Sequence, residues 1–335
     1  MRLKTLTIAA ALIAAQPVLA DPLVFTSWGG TTQDAQSENW AAPFSAASGT
    51  DVVQDGPTDY GKLQAMVEAN AVSWDVVDVE FDYALQAGAA GLLEPLDFSV
   101  IDRSALDPRF VSDFAVGSFY YSFVMGYSPA AFGAEGPMTL NDLFDLEKFP
   151  GKRTFYKWSA PGVIEAALIA DGVAPADLYP LDLDRAFAKL DTIKSEIIWW
   201  TGGAQSQQLL ASGEAPIGLF WNGRLAALAA DGQEVGVVWD QNITAADALV
   251  VPKGTKNREA AMAFIAEATS AQAQADFAAA TGYAPININS PALMDPAVRE
   301  TLPDAHDENQ INADMAYWAE HRDEIGNRWY AWQAE

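Results

Sequence analysis

The sequence predicts an α/β protein built as two lobes. Three observations carry this: short apolar segments alternate with stretches of helical spacing, the 335-residue chain exceeds what one core usually serves, and half of the residues are hydrophobic. The alternation, at strand-then-helix pitch, calls for mainly parallel sheets covered by helices on both faces.

The first twenty residues read as an address rather than as structure. Arg2 and Lys4 precede a short apolar run over 6–15, and Val18, Leu19 and Ala20 lead into Asp21, the order of a secretory signal with its cleavage site. The mature chain is therefore expected to begin at Asp21 and to act in the periplasm. Residues 23–27 form an apolar strand that breaks at Trp28-Gly29-Gly30. A helix follows over 31–48, with Trp40 and Phe44 four apart, then a strand at 51–54, a helix at 60–71, a strand at 74–79 and a helix at 81–90. A long aromatic strand over 119–127 crosses between lobes, and a short capped helix at 139–146 leads to a turn at 149–152. The pattern resumes with strands at 153–157, 197–200 and 217–221 and helices at 163–170, 184–194 and 205–211. Strands at 235–239 and 248–251 come last, before helices at 256–269 and 271–280 and a helical tail rich in Trp and Tyr.

Composition narrows the function. With 19 basic against 45 acidic residues the formal net charge is −26, which repels nucleic acid and anionic membrane surfaces and draws in cations. The chain has no cysteine and two histidines, so neither disulfides nor an ordinary zinc site is expected. A nucleophile elbow, a P-loop and a dinucleotide fingerprint are all lacking, and no cofactor or metal is expected. Paired carboxylates of a cleft hydrolase are the one catalytic device that composition leaves open, as a remote alternative to a protein that is not an enzyme.

The loops after the strands carry the candidate site. Trp28, Glu80, Lys157-Trp158-Ser159, Trp200-Thr201-Gly202-Gly203 and Trp221-Asn222-Gly223-Arg224 all stand at strand ends. Ligands of open α/β sheets bind there, so these positions are expected to share one site, with Gln205 as a further hydrogen-bonding candidate.

On these segments the chain resembles the spermidine/putrescine-binding proteins of bacterial ABC importers. The resemblance runs through Leu23-Val24-Phe25-Thr26-Ser27-Trp28, Trp74-Asp75-Val76-Val77, Gly218-Leu219-Phe220-Trp221-Asn222-Gly223, Ala246-Asp247-Ala248-Leu249-Val250-Val251-Pro252 and Thr281-Gly282-Tyr283-Ala284-Pro285. It implies a type II periplasmic binding fold whose lobes close on a solute, and a monomer that hands the solute to a permease driven by an ATPase. It also implies that Trp28 stacks on the ligand, that Trp221 and Tyr283 line the cleft, and that Asp247 is the central acid. Where the family places two further acids, this chain has Trp158 and Gly162, and Gly29 and Gly30 replace its acidic residue and Tyr.

Two ligands are weighed. A small amine or polyamine would use Asp247 and Glu80 for its ammonium groups and Trp28, Trp158 and Trp221 for its methylenes. A carboxylate-bearing solute, an amino acid or a dicarboxylate such as malate, would instead engage Lys157 or Arg224, with the Gly29 and Gly30 N–H groups assisting. The amine is the first choice. The expected lobes are 21–126 with 247–292, and 127–246 with 293–335.

Overall fold

A computed structural model describes residues 21–133 and 136–335, so the expected leader at 1–20 lies outside the described residues. The strands are β1 (Leu23–Thr26), β2 (Val52–Asp55), β3 (Val76–Glu80), β4 (Ala115–Tyr127), β5 (Arg153–Tyr156), β6 (Ile197–Trp200), β7 (Ile217–Trp221), β8 (Gly236–Val250) and β9 (Ile311–Asn312). They join in one sheet in the order β2-β1-β3-β8-β4-β7-β5-β6, with β9 beside β8. The outer groups β2-β1-β3 and β6-β5-β7 are parallel, as the strand–helix alternation requires, and both are flanked by helices.

The middle of the sheet departs from the predicted pattern. β4 and β8 are long antiparallel strands that run through both halves, pairing Ala115 with Val250 at one end, Phe119 with Asp247 further in, and Tyr127 with Gly236 at the other end. The two strands expected at 235–239 and 248–251 are thus one strand of 15 residues. The polar run Asp240-Gln241-Asn242 reads as a break in sequence but is an irregularity inside the strand: the register jumps between Phe123 and Met125, and Gln241 takes φ of 56°. Asn242 closes this irregularity. Its Oδ1 accepts from Ser122 Oγ at 2.7 Å, and its Nδ2 donates to the carbonyls of Trp239 and His306 at 2.8 and 2.9 Å.

The C-terminal helix Met315–Ala334 sets the last Trp residues into the second half. Trp318 Nε1 donates to the buried Glu165 carboxylate at 2.7 Å, Trp329 Nε1 to the Lys157 carbonyl at 2.7 Å, and Trp332 stacks on Phe187 at 5.3 Å between centroids. Ahead of this helix, Met294 and Leu302 pack on Ala275 and Ala278 of the helix Ala271–Thr281. Among the described residues no helix is long and apolar enough to cross a membrane.

Arg153 is structural, as its place at the start of a strand implies. Fully buried, it donates to the carbonyls of Leu143, Gly151 and Asp145 at 2.8, 2.6 and 2.9 Å. Arg153→Met removes all three charge-assisted bonds, leaves the carbonyl of the buried Leu143 without this donor, and is expected to lower unfolding stability in urea by about 3 kcal/mol; a loss below about 1 kcal/mol would show that water satisfies the carbonyls instead.

Candidate ligand-binding cleft

The cleft forms where β3 and β8 lie side by side and β7 ends opposite. β3 and β8 are antiparallel, and their register sets Glu80 directly across from Asp247, so the two carboxylates share one face of the sheet as neighbours. The buried Asp78 completes the acidic wall; it accepts from Ser118 Oγ at 2.7 Å, Gln36 Nε2 at 2.6 Å and Ser27 Oγ at 3.2 Å. Burial raises the Asp78 carboxyl to about 7 against these hydrogen bonds.

The halves are held together by two arginines. Arg224, in the helix Asn222–Ala230 that follows β7, reaches the first half through Nη1 to Thr31 Oγ1 at 2.7 Å and Nη2 to Thr32 Oγ1 at 2.9 Å. Arg322, on the C-terminal helix, donates Nη2 to Glu80 Oε2 at 2.6 Å and Nη1 to Asp82 Oδ2. Its guanidinium stands 5.2 Å from the Tyr60 ring centroid and 5.7 Å from that of Tyr83, and these two rings stack on each other at 3.7 Å. Trp28 meets Tyr60 edge-on at 6.1 Å. From the other half Trp221 packs on Trp200 at 4.7 Å, Tyr156 at 5.1 Å and Tyr121 at 5.9 Å. An open hollow of about 510 Å³ around Arg109, Tyr120 and Asp304 shares no residue with this cleft.

The charges are unequally matched. Glu80 and Asp82 have Arg322, but no ion pair or hydrogen bond among the described residues reaches the buried Asp247 carboxylate. The Trp28 indole N–H leans toward Asp247 and favours its charge without closing a hydrogen bond. Burial, then the negative charges of Asp78 and Glu80, push Asp247 well above the usual carboxylate range. On the opposite side Arg224 faces no carboxylate among the described residues, and its buried Nε is unpaired; the indole N–H groups of Trp28 and Trp221 are also buried and unpaired. Buried polar groups are normally hydrogen-bonded, so three orphan donors and one orphan carboxylate mark a place for a ligand.

The structure divides the residues proposed from sequence. Trp28, Trp221, Asp247 and Tyr283 converge on the cleft: Tyr283 stacks on Phe119 at 5.0 Å, and Arg224 lies close enough to temper the burial that raises its hydroxyl. Glu80 is there too, but Arg322 holds it, so it does not offer a free carboxylate. Asn222 is a brace between strand and loop, accepting from Ser122 N at 3.0 Å and donating to the Gly282 carbonyl at 2.6 Å. The Gly29 N–H is occupied by Gln33 Oε1 at 2.9 Å. Gln205 turns back on its own loop, accepting from Thr201 N at 2.8 Å and remaining exposed. Lys157 extends over the ring of the exposed Trp158, and that ring meets Tyr330, about 12 Å along the C-terminal helix from Arg322. Arg322 and Tyr60 went unnoticed in sequence; Arg322 meets its acids across more than 200 residues, and no local pattern announces it.

Comparison with known proteins agrees with this geometry. Residues 39–303 match the family of bacterial extracellular solute-binding proteins. A solved GABA receptor is 70% identical with a TM-score of 0.90, covering 94% of this chain and 98% of that one. An ABC transporter substrate-binding protein from Bradyrhizobium japonicum is 36% identical with a TM-score of 0.88, covering 93% and 99%. The gamma-aminobutyric acid-binding protein of Pseudomonas aeruginosa is 36% identical over 97% of this chain and 94% of its own length. The spermidine/putrescine-binding periplasmic protein of Escherichia coli is more distant, at 22% identity over 80% and 81%. The chain belongs to the bacterial extracellular solute-binding proteins and has their two-lobed fold, which is a family of binders rather than enzymes.

The raised carboxyl gives closure a pH dependence. Asp247 would bind a proton more readily in a closed, water-poor cleft than in an open, hydrated one, so the ligand-free closed form loses stability as pH rises from the ordinary carboxylate range up to the raised value and regains it as pH falls below that value. Asp247→Asn imitates the protonated form. At pH 7.5 the ligand-free variant is expected to show a smaller radius of gyration by X-ray scattering than the wild type, which should approach it on acidification. Equal radii at every pH would mean that Asp247 does not oppose closure.

Proposed function

We propose that this protein captures a small ω-amino carboxylate, gamma-aminobutyric acid or a close analogue, and delivers it to an ABC permease driven by its ATPase. The single observation that carries the reading is the pair of unmatched charges in one closed cleft: Asp247 without a cation and Arg224 without an anion. A zwitterion answers both. Its ammonium pairs with Asp247, its carboxylate takes the free Nε of Arg224, and its methylenes lie against Trp28 and Trp221, with the Trp221 indole N–H also available to the carboxylate. The relatives named for gamma-aminobutyric acid share more of their sequence with this chain than the spermidine/putrescine binders do. The amino acid therefore takes precedence over the amine or polyamine placed first on sequence, and Arg224 rather than Lys157 is its carboxylate partner.

In this reading the lobes divide within β4 and β8, and the protein works in the periplasm as a monomer. The ligand drives closure because it binds the closed state far better than the open one; equal affinity would shift nothing. Titration calorimetry tests the assignment. The wild type is expected to bind 4-aminobutanoate and to refuse both butanoate, which lacks the ammonium, and 1,4-diaminobutane, which lacks the carboxylate. Arg224→Gln and Asp247→Asn should each weaken 4-aminobutanoate at least about 100-fold, about 3 kcal/mol, through loss of a desolvated charge pair. Undiminished affinity in either variant would refute the corresponding contact.

A further inference from the structure

Arg322 is the one charged group in the cleft whose surroundings are those of a bound ligand. Its guanidinium lies between two carboxylates, Glu80 at 2.6 Å and Asp82, and over two aromatic faces, Tyr60 and Tyr83. The side chain is only 14% exposed. Carboxylates around a cation and rings along its flank are what a buried ammonium of a diamine requires. Glu80 is also the cross-strand neighbour of Asp247, so this acid pair and the Asp247 carboxylate form one continuous wall. Even with Arg322 in place the wall remains rich in acceptors, since Asp82 Oδ1 is buried and unpaired.

We propose that Arg322 is a specificity-determining residue: its guanidinium occupies the position of a second ligand cation between Glu80 and Asp82, so that the cleft admits one ammonium group and rejects diamines. The inference rests on the ω-amino carboxylate reading and deepens it. With Arg322 present the wall offers a single free carboxylate, Asp247, which suits a zwitterion whose other end goes to Arg224. Without it, Glu80 and Asp82 join Asp247 as acids with no cation, and a diamine supplies two charges to meet them. Because Arg322 comes from the C-terminal helix of the other lobe, the second subsite fills only as the lobes meet, and a diamine competes with the protein's own closure.

A plain interlobe latch would behave differently. Removing a latch weakens every ligand alike, whereas removing a built-in cation inverts the preference. The test is calorimetry at pH 7.5 with 1,4-diaminobutane and 4-aminobutanoate on the wild type, Arg322→Gln, and the double variant Asp82→Asn/Arg322→Gln. The double variant removes one buried acid along with the cation, so it keeps the charge balanced should the single variant not fold; melting curves establish which variants are folded. We expect a gain in diamine affinity of at least about 100-fold over the wild type in either folded variant, with the 4-aminobutanoate preference lost. A folded variant that refuses the diamine as the wild type does overturns the proposal. Should the wild type fail to bind 4-aminobutanoate while the variants gain the diamine, the ligand reading falls and the role of Arg322 stands; the reverse result sinks Arg322 alone.

Discussion

Burying a carboxylate without a partner is costly, and Asp247 is held in that condition by the strand that carries it. In the open form water hydrates the group. On the proposed closure that hydration is stripped away, which strengthens the repulsion from the neighbouring Asp78 and Glu80. Closure is therefore opposed until a cation arrives, and a ligand ammonium removes the penalty at the place where it is largest. A binding protein needs this asymmetry, because a receptor that closed equally well when empty would present its permease with nothing to transport.

The fold makes the asymmetry geometric. Two long strands, β4 and β8, run through both halves, so the acid near one end of β8 and the irregularity in its middle belong to the same piece of chain. Asn242 closes the irregularity, and Asn222 ties β4 to the loop at Gly282. Both arginines reach into the first half from the second. Arg224 reaches Thr31 and Thr32 and keeps its Nε free, while Arg322 spends its donors on Glu80 and Asp82. These differences in pairing separate a group that recognises the ligand from one that shapes the space left for it.

Much of this architecture was legible in the sequence, for reasons tied to particular residues. Short apolar runs such as those ending at Trp28 and Trp221 are buried on both faces of a parallel sheet, so their limits fall close to the observed strands. The convergence of Trp28 and Trp221 follows from strand ends, since a parallel sheet brings those ends to one edge, whereas Asp247 lies inside the antiparallel β8 and was indicated by the family resemblance alone. What escaped depended on partners distant in sequence or on local geometry. The Asp240-Gln241-Asn242 run looks like a loop because its polar atoms are satisfied by His306 and Gln310, which no nearby residue predicts. Gln205 has the chemistry of a ligand contact but uses it to hold Thr201. Glu80 was recognised as an acid in the cleft, yet whether it is free depends on Arg322, far along the chain.

The most direct measurement is a crystal structure of the protein with 4-aminobutanoate bound. The account predicts the ligand ammonium about 2.8 Å from an Asp247 carboxylate oxygen, its carboxylate on the Arg224 Nε, and Arg322 still between Glu80 and Asp82. A ligand seated with its carboxylate toward the acidic wall, or outside the cleft with Asp247 still unpaired, would contradict it.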